Sequence, residues 1–286
     1  MIGLGLMGSA FCARLLDADV AVAGFDIEAA RRAALQAAGG AVARSITELA
    51  ARCRLIVIAV FDAAEVLSLF DELVRLGSAK PPLLICTTTC APDEIAAIAG
   101  RAAGIGLPLV EAPISGTSAE VRGGTATALI AGEADAIAAA DAILDILCPQ
   151  RINVGGIGDA SRTKLAINLI LQNNRAALAE GIAFAEAIGL DGATFLATAR
   201  RSAAYSKVMD SKGEKMLARD FSPQSHISQT LKDAELILDE AERHTLSLPM
   251  TSTQAGLLRA AILLEGADSD SAAVIEAIRA SVGDNR

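Results

Sequence analysis

The segment Gly3-Leu4-Gly5-Leu6-Met7-Gly8 decides the fold of this chain, because its three glycines have the spacing G-x-G-x-x-G. The first glycine of such a segment permits a tight turn from a strand into a helix. The second lets a pyrophosphate approach the backbone, and the third lets helix and strand pack closely. A helix predicted over residues 9–16 would place its positive N-terminus against the pyrophosphate. We therefore expect Gly3, Gly5, Leu6, Met7 and Gly8 to contact a dinucleotide cofactor.

The kind of dinucleotide is indicated by Asp26, which follows a second predicted strand over residues 20–25. A carboxylate at this place accepts hydrogen bonds from the adenosine ribose and repels a 2′-phosphate, so we expect NAD. Arg31 and Arg32 lie one helical turn further on and keep NADP possible. Asp26 can also serve as the N-cap of a helix over residues 28–38.

Composition excludes several classes of protein. The 286 residues are enough for two domains, and the net charge of −9 without a Lys/Arg cluster predicts no nucleic-acid partner. The longest strongly apolar run, residues 55–61, is far shorter than the ~20 residues of a membrane span. We find no pattern of a signal peptide and expect a cytoplasmic protein without a membrane partner.

The five cysteines predict buried, reduced thiols rather than disulfides or metal ligands. They form no C-x-x-C motif, and Cys86 and Cys90 have no nearby histidine. The chain has only two histidines, His226 and His244, which leaves little material for a metal site or a Ser-His-Asp triad. We therefore expect no metal.

The first half of the chain alternates apolar runs with helical patterns. Strands are predicted over residues 20–25, 55–60, 83–86, 107–111, 126–131 and 152–154. Helices are predicted over residues 9–16, 28–38, 45–52, 63–73, 92–103 and 134–147. This alternation predicts an α/β domain of the Rossmann type, with a doubly wound, mostly parallel sheet.

The second half contains helical patterns only, after glycines at residues 155, 156 and 158. Helices are predicted over residues 159–188, 191–201, 205–217, 225–242, 249–265 and 271–280. We expect a dinucleotide-binding domain over residues 1–156 and an all-α substrate and oligomerisation domain over residues 157–286. Long Ala/Leu/Ile faces at 176–188 and 255–264 predict a homodimer or homotetramer.

The beginning of the chain fits this fold poorly. Only Met1 and Ile2 precede Gly3, whereas the first strand of this fold is central and strands usually run about five residues. Two residues are expected to be too few to pair with both neighbouring strands, so we expect the coding start to lie upstream of Met1.

A candidate catalytic group follows the glycines of the predicted domain boundary. Lys164 and Asn168 are four residues apart and share one face of a predicted helix. A partly desolvated lysine can exchange a proton with a substrate hydroxyl, and the asparagine can orient it. From the spacing alone, a solvated lysine beside a surface asparagine is the favoured interpretation.

Two further segments have ambiguous patterns. Ser115, the Gly116 amide and Thr117 can form a cradle of donors for a carboxylate, or an ordinary turn at the end of a strand. Lys232 and Asp233, nine residues after Pro223, can belong to a site or form a surface ion pair.

Together these segments resemble the 3-hydroxyisobutyrate dehydrogenase family, also called β-hydroxyacid dehydrogenases, over nearly the whole chain and in order. The family motifs G-L-G-x-M-G, D-A-P-V-S-G-G, G-x-G-x-x-x-K-x-x-N-N and F-x-P…K-D correspond to residues 3–8, 111–117, 156–168 and 221–233. The resemblance implies that Lys164 is catalytic. It implies substrate contacts at Ser115, Gly116, Thr117 and Asn168, and further cofactor contacts at Val60, Phe61, Thr89 and Lys232.

The chain departs from the family pattern at several of these places. Thr117 replaces the second glycine of S-G-G, which narrows the cradle. Cys86 and Thr88 stand where the family usually has Asp and Ser, and Phe61 and Asp62 where it has Pro and Asn.

The resemblance predicts hydride transfer between NAD and a small 3-hydroxy acid or a related sugar acid. Two alternatives are an imine reductase, although that group usually lacks the lysine, and a dinucleotide-binding protein without turnover.

Overall fold

A computed structural model describes residues 1–74 and 81–283 of the chain. The chain divides into two compact units, with the boundary between Lys164 and Leu165. Within the described residues, no helix is long and apolar enough to cross a membrane.

The first unit contains the sheet. Its strands are β1 (Ala23–Gly24), β2 (Ala41–Val42), β3 (Leu55–Ile58), β4 (Leu83–Cys86), β5 (Leu109–Glu111), β6 (Ile114–Ser115), β7 (Thr127–Gly132) and β8 (Gln150–Gly155). The order is β3-β4-β5-β7-β6, with β8 also paired to β7, and β1-β2 form a separate pair. All pairs are parallel except those that β5 and β6 make with β7. The sheet is therefore mostly parallel, as predicted.

Ile2 occupies the place of the first strand and joins the two sheets. It makes parallel bridges to Phe25 on one side and Ile58 on the other. The N–H and C=O of Ile2 bond toward β3, while the Met1 carbonyl and the Gly3 amide bond to Phe25 over 2.9 and 3.0 Å. Successive residues of an extended chain present these groups to opposite sides, so three residues serve both neighbours. The expectation that this segment is too short to pair on both sides is wrong.

Helices cover both faces of this sheet. They are α1 (Leu6–Asp17), α2 (Ala29–Ala37), α3 (Ile46–Arg52), α4 (Ala63–Leu73), α5 (Pro92–Gly104), α6 (Ser118–Arg122) and α7 (Ala134–Leu147). One core cluster includes Phe11 of α1 and Leu144 of α7, and another includes Leu49, Phe70 and Ile95 of α3, α4 and α5. Two separate cores on one sheet confirm the doubly wound prediction.

The described part of the second unit is helical, as predicted. The helices are α8 (Asp159–Ala187), which begins in the first unit, α9 (Gly192–Ala199), α10 (Val208–Ala218), α11 (Ile227–Arg243), α12 (Pro249–Glu265) and α13 (Val274–Gly283). A 3₁₀ turn, Ser271–Ala273, precedes α13, where one continuous helix was predicted. The core contains Leu178, Ile182, Leu196, Met216 and Leu258.

Two strands and one helix of the first unit were not predicted. β2 and β6 have two residues each, and α6 has five. Elements of this length show no usable apolar period.

The cysteines are free thiols, and Cys12, Cys86, Cys90 and Cys148 are buried as predicted, while Cys53 is half-buried.

Candidate active site

The glycine-rich turn has the geometry that its spacing predicted. Gly3 has φ +84°, and a Cβ there would overlap the Ala59 carbonyl, while a Cβ on Gly8 would overlap the Gly3 carbonyl. Only glycine therefore permits the tight turn and the close packing. At Gly5, by contrast, a Cβ would meet only the Arg31 side chain, 4.0 Å away. Side-chain-free space thus lies above the second glycine, where a pyrophosphate needs to approach the backbone.

The first helix begins earlier than predicted. Its N-cap is Gly5 and its first residue is Leu6, rather than Ser9. The backbone amides of Leu6, Met7 and Gly8 therefore lie in the first turn of α1. The amides of a first turn lack partners within the helix and attract anions. This arrangement fits a dinucleotide pyrophosphate.

Asp26 lies just beyond β1 and is buried. Its Oδ2 accepts a hydrogen bond of 2.7 Å from the Leu4 amide, and its Oδ1 accepts one of 2.8 Å from the Glu28 amide. Arg31 Nη1 lies 3.5 Å from Asp26 Oδ2. The N-cap of α2 is Glu28, so the N-cap interpretation of Asp26 is wrong. The carboxylate instead ties the glycine-rich turn to the start of α2.

The carboxyl ends of β3 and β4 carry the other cofactor candidates of this unit. Val60 and Phe61 follow β3, and Thr89 follows β4, which is parallel to β3. The Val60 carbonyl accepts a hydrogen bond of 3.1 Å from the Thr88 hydroxyl, and the Phe61 amide donates one of 2.8 Å to Glu65. Carboxyl ends of parallel strands are where open α/β sheets bind ligands.

The predicted carboxylate cradle lies at the end of β6. Ser115 pairs with Thr127 of β7, and Gly116 follows with φ +149°. Thr117 is the N-cap of α6: its amide donates to Glu120 over 2.8 Å and its hydroxyl accepts from the Glu120 amide over 3.2 Å. The Thr117 amide is therefore engaged within the protein, and the donors left for a ligand are the Ser115 hydroxyl, the Gly116 amide and the Thr117 hydroxyl.

Glu111 was noted in the sequence only as part of a motif, but the structure gives it specific contacts. It ends β5, is 1% exposed, and its carboxylate accepts hydrogen bonds from the amides of Gly158 and Ser161 over 2.6 and 2.5 Å. Burial raises the pKa of Glu111, while hydrogen bonds from Ser161 and Gly158 act in the opposite direction.

Lys164 and Asn168 lie on α8, four residues apart and so on one face. They are 6% and 4% exposed, so the interpretation of a solvated surface lysine is wrong.

In the second unit, the side chain of Asn168 is fixed by α11. Its Nδ2 donates a hydrogen bond of 2.9 Å to Asp233 Oδ2. Asp233 Oδ1 lies 3.3 Å from Lys232 Nζ, and both side chains are largely buried, so this is not a surface pair. One turn along α8, Gln172 donates to the Thr230 carbonyl over 3.2 Å.

A group of buried charges in this unit was not predicted from the sequence. Lys212 Nζ lies 2.7 and 2.8 Å from the two carboxylate oxygens of Asp270, and Arg175 is buried nearby on α8. Burial lowers the pKa of Lys212 to about 8 and that of Arg175 to about 10, against the attraction of Asp270. The available signal was the continuation of polar residues, Gln172 and Arg175, along the face of Lys164 and Asn168.

Metal ligands do not cluster in the described residues. Among residues 1–74 and 81–283, no group of three or more His, Cys, Asp or Glu side chains could hold a metal ion.

Two family descriptions match the chain almost end to end. Residues 1–156 match the NAD binding domain of 6-phosphogluconate dehydrogenase, and residues 158–278 match the NAD-binding domain of NADP-dependent 3-hydroxyisobutyrate dehydrogenase.

Curated relatives and a solved structure agree with these matches. L-threonate dehydrogenase of Cupriavidus necator is 27% identical over 96% of this chain and 94% of its own length. The 2-hydroxy-3-oxopropionate reductase of Escherichia coli is 28% identical over 97% of this chain and 95% of its own. The crystal structure of 3-hydroxyisobutyrate dehydrogenase from Salmonella typhimurium has a TM-score of 0.88 and 25% identity, covering 96% of this chain and 97% of that one.

The glycine turn, the carboxyl-edge candidates and these matches define an NAD(P)-dependent oxidoreductase that acts on a CH–OH group. Within that class, the chain belongs to the 3-hydroxyisobutyrate dehydrogenase family.

Proposed function

We propose that the protein transfers a hydride between NAD and a small 3-hydroxy acid or related sugar acid, with Lys164 as general acid and base. The observation that carries this proposal is the burial of Lys164 on the same face of α8 as Asn168. A lysine at this place can take and return the proton of a substrate hydroxyl, and the amide four residues on can orient the same oxygen.

The cofactor would be held by the first unit. The first-turn amides of α1, at Leu6, Met7 and Gly8, bind the pyrophosphate, and the space above Gly5 admits it. Val60, Phe61 and Thr89 line the carboxyl edge toward the nicotinamide. When bound, NAD supplies the acceptor of the hydride from the carbinol carbon.

The substrate carboxylate would be bound by the Ser115 hydroxyl, the Gly116 amide and the Thr117 hydroxyl. Lys164 removes the hydroxyl proton in oxidation and returns it in reduction, where its ammonium also stabilises the developing alkoxide. Asn168 orients the substrate oxygen, and Lys232 lies beside the nicotinamide in this proposal.

We propose NAD as the preferred cofactor, because Asp26 presents a buried carboxylate beside the glycine-rich turn. Its negative charge opposes a 2′-phosphate. Arg31 reaches the same place and is the group that would favour NADP.

We also propose a cytoplasmic homo-oligomer, with residues 1–156 binding the dinucleotide and residues 157–286 contributing substrate contacts and the interface between copies. Support comes from exposed apolar side chains of the second unit, among them Phe184 on α8 and Leu263 on α12, which are 66% and 88% exposed.

The reaction is tested by NADH formation with a panel of threonate, glycerate, 3-hydroxyisobutyrate and 3-hydroxybutyrate. The names of the relatives make threonate and glycerate-type sugar acids the first candidates. We expect steady turnover with at least one of these acids. NAD binding without turnover on any of them would contradict the proposal and favour a non-catalytic binding protein, and reduction of cyclic imines would favour the imine reductase alternative.

The role of the lysine is tested by Lys164→Ala. We expect kcat to fall by roughly 10²–10⁴-fold, while NAD affinity stays nearly unchanged. Lys207→Ala, which removes an exposed lysine before α10, is the matched control. Near-normal turnover of Lys164→Ala would rule out the lysine mechanism.

A further inference from the structure

A buried carboxylate of the sheet holds the beginning of the helix that carries Lys164. Glu111 is the last residue of β5, and α8 begins at Asp159. Glu111 Oε2 accepts a hydrogen bond of 2.6 Å from the Gly158 amide, and Oε1 accepts one of 2.5 Å from the Ser161 amide. Both oxygens of one side chain are therefore used on one helix end.

Charge and desolvation make this contact strong. The amides at a helix N-terminus lack partners within the helix and carry partial positive charge, which a carboxylate complements. Glu111 and Ser161 are each 1% exposed, so water cannot replace the bonds if the carboxylate is lost. The beginning of α8 is thus held to the carboxyl end of β5 by two hydrogen bonds.

Glu111 stands between the two parts of the proposed site within the first unit. Ser115 of the carboxylate cradle follows Glu111 by four residues, and both residues pair with β7. Lys164 follows Ser161 by three residues on α8, which is about one turn. One side chain therefore links the strand that leads to the cradle with the helix turn that leads to the lysine.

We propose that Glu111 is a positioning residue for hydride transfer, holding α8 in the register that brings the Lys164 ammonium to the substrate hydroxyl. This inference rests on the proposed role of Lys164. Glu111 contacts neither substrate nor cofactor in this proposal, and its contribution to kcat depends on the presence of Lys164.

The chain offers a matched control for a purely structural role. Glu72 of α4 also accepts two backbone amides at a helix beginning, those of Ile46 and Thr47 of α3, over 3.2 and 3.4 Å. α3 carries none of the proposed catalytic residues. Both bonds go to Oε2 of Glu72, which a glutamine would keep, so the control variant is Glu72→Ala, which removes the acceptor from a helix end without a proposed catalytic duty.

The test is a double-mutant cycle with Glu111→Gln in the wild-type and Lys164→Ala backgrounds, with residual rates measured at high enzyme concentration. A glutamine has one acceptor oxygen, so it cannot bond both amides, and its NH₂ opposes one of them. We expect Glu111→Gln to lower kcat by roughly 10–100-fold in the wild type, as for a misplacement of about 1 Å, with NAD affinity within about twofold. In the Lys164→Ala background we expect no further loss.

Separate outcomes address the two proposals. Equal fold-losses from Glu111→Gln in both backgrounds, or an equal kcat loss from Glu72→Ala, would overturn the positioning role and leave the lysine mechanism intact. Normal turnover of Lys164→Ala alone would overturn the lysine mechanism instead. If Glu111→Gln does not fold, Glu111→Asp goes through the same cycle. It keeps the charge and shortens the reach, and the same two outcomes decide.

Discussion

Asn168 donates a hydrogen bond from Nδ2 to Asp233 Oδ2 over 2.9 Å, and both side chains are buried. An ionised carboxylate can only accept, so it selects the amide nitrogen and turns the amide oxygen of Asn168 away from α11. That oxygen is then presented as an acceptor, suited to a substrate hydroxyl or an ammonium. The hydrogen bond to Asp233 therefore fixes the orientation of the Asn168 amide, with the nitrogen toward Asp233 and the oxygen left as an acceptor.

Asp233→Asn is expected to lower kcat/KM for the hydroxy acid by roughly tenfold, because either orientation of Asn168 then finds a partner. Affinity for NAD, measured by fluorescence titration, is expected to change much less. Asp239→Asn alters an exposed carboxylate on the same helix and is the control. An unchanged kcat/KM would show that the polarity of Asn168 does not matter to turnover.

Asp26→Asn is expected to narrow the preference for NAD over NADP by about tenfold, or about 1.4 kcal/mol. The asparagine keeps an oxygen for the Leu4 amide but loses the charge that repels a 2′-phosphate. Arg31→Ala is expected to widen the preference, because it removes a cation that lies 3.5 Å from the Asp26 carboxylate. The check is kcat/KM with both cofactors for each variant. A wild-type protein that prefers NADP would contradict the role given to Asp26.

The fold was predictable wherever the pattern is local. The bounds of α4, α7, α12 and β4 agree with the prediction, because each has a clear apolar period or run between distinct ends. The pairing of Ile2 was not predictable from strand length. It depends on the alternation of backbone groups among three residues rather than on side chains.

The candidate site likewise combines local patterns, which the sequence shows, with distant contacts, which it does not. The four-residue spacing of Lys164 and Asn168 is enough by itself to predict that they share one helix face. The contact of Asn168 with Asp233 joins residues 65 apart, and that of Glu111 with Ser161 joins residues 50 apart. No local pattern encodes such pairs, because they arise only when helices and strands pack together.

Phe184→Glu is expected to convert the protein to monomers in solution. Phe184 and Ile188 expose apolar surface at the end of α8, and a charge buried between copies would cost more than the contact gains. Light scattering at micromolar concentration should give a multiple of 29.2 kDa for the wild type and 29.2 kDa for the variant. Val74→Glu, at an exposed apolar residue of the first unit, should keep the wild-type mass. A monomeric wild-type protein would contradict the proposed oligomer.

The buried pair Lys212–Asp270 predicts a stability change that depends on pH. Asp270→Asn leaves the Lys212 ammonium buried without its counter-charge, so we expect a loss of about 3–5 kcal/mol in unfolding free energy at pH 6. Replacing both residues, Lys212→Met with Asp270→Asn, should cost less than the single change, because no charge is then stranded. Glu235→Gln, at the exposed pair with Arg259, should change stability little.

The sign of the pH dependence follows from Lys212. Burial lowers its pKa in the folded protein to about 8, below the ordinary 10.5, and the loss of Asp270 should lower it further. In the Asp270→Asn variant, Lys212 then loses its proton in the folded state below pH 8, while the unfolded chain still holds it. The unfolded state binds more protons in this range, so the unfolding free energy of the variant rises with pH. The unfolding free energy of the variant should therefore approach that of the wild type by up to about 1.4 kcal/mol per pH unit between pH 6 and 8. Urea unfolding at both pH values measures this difference, and a constant deficit would mean that Lys212 stays protonated in the folded variant.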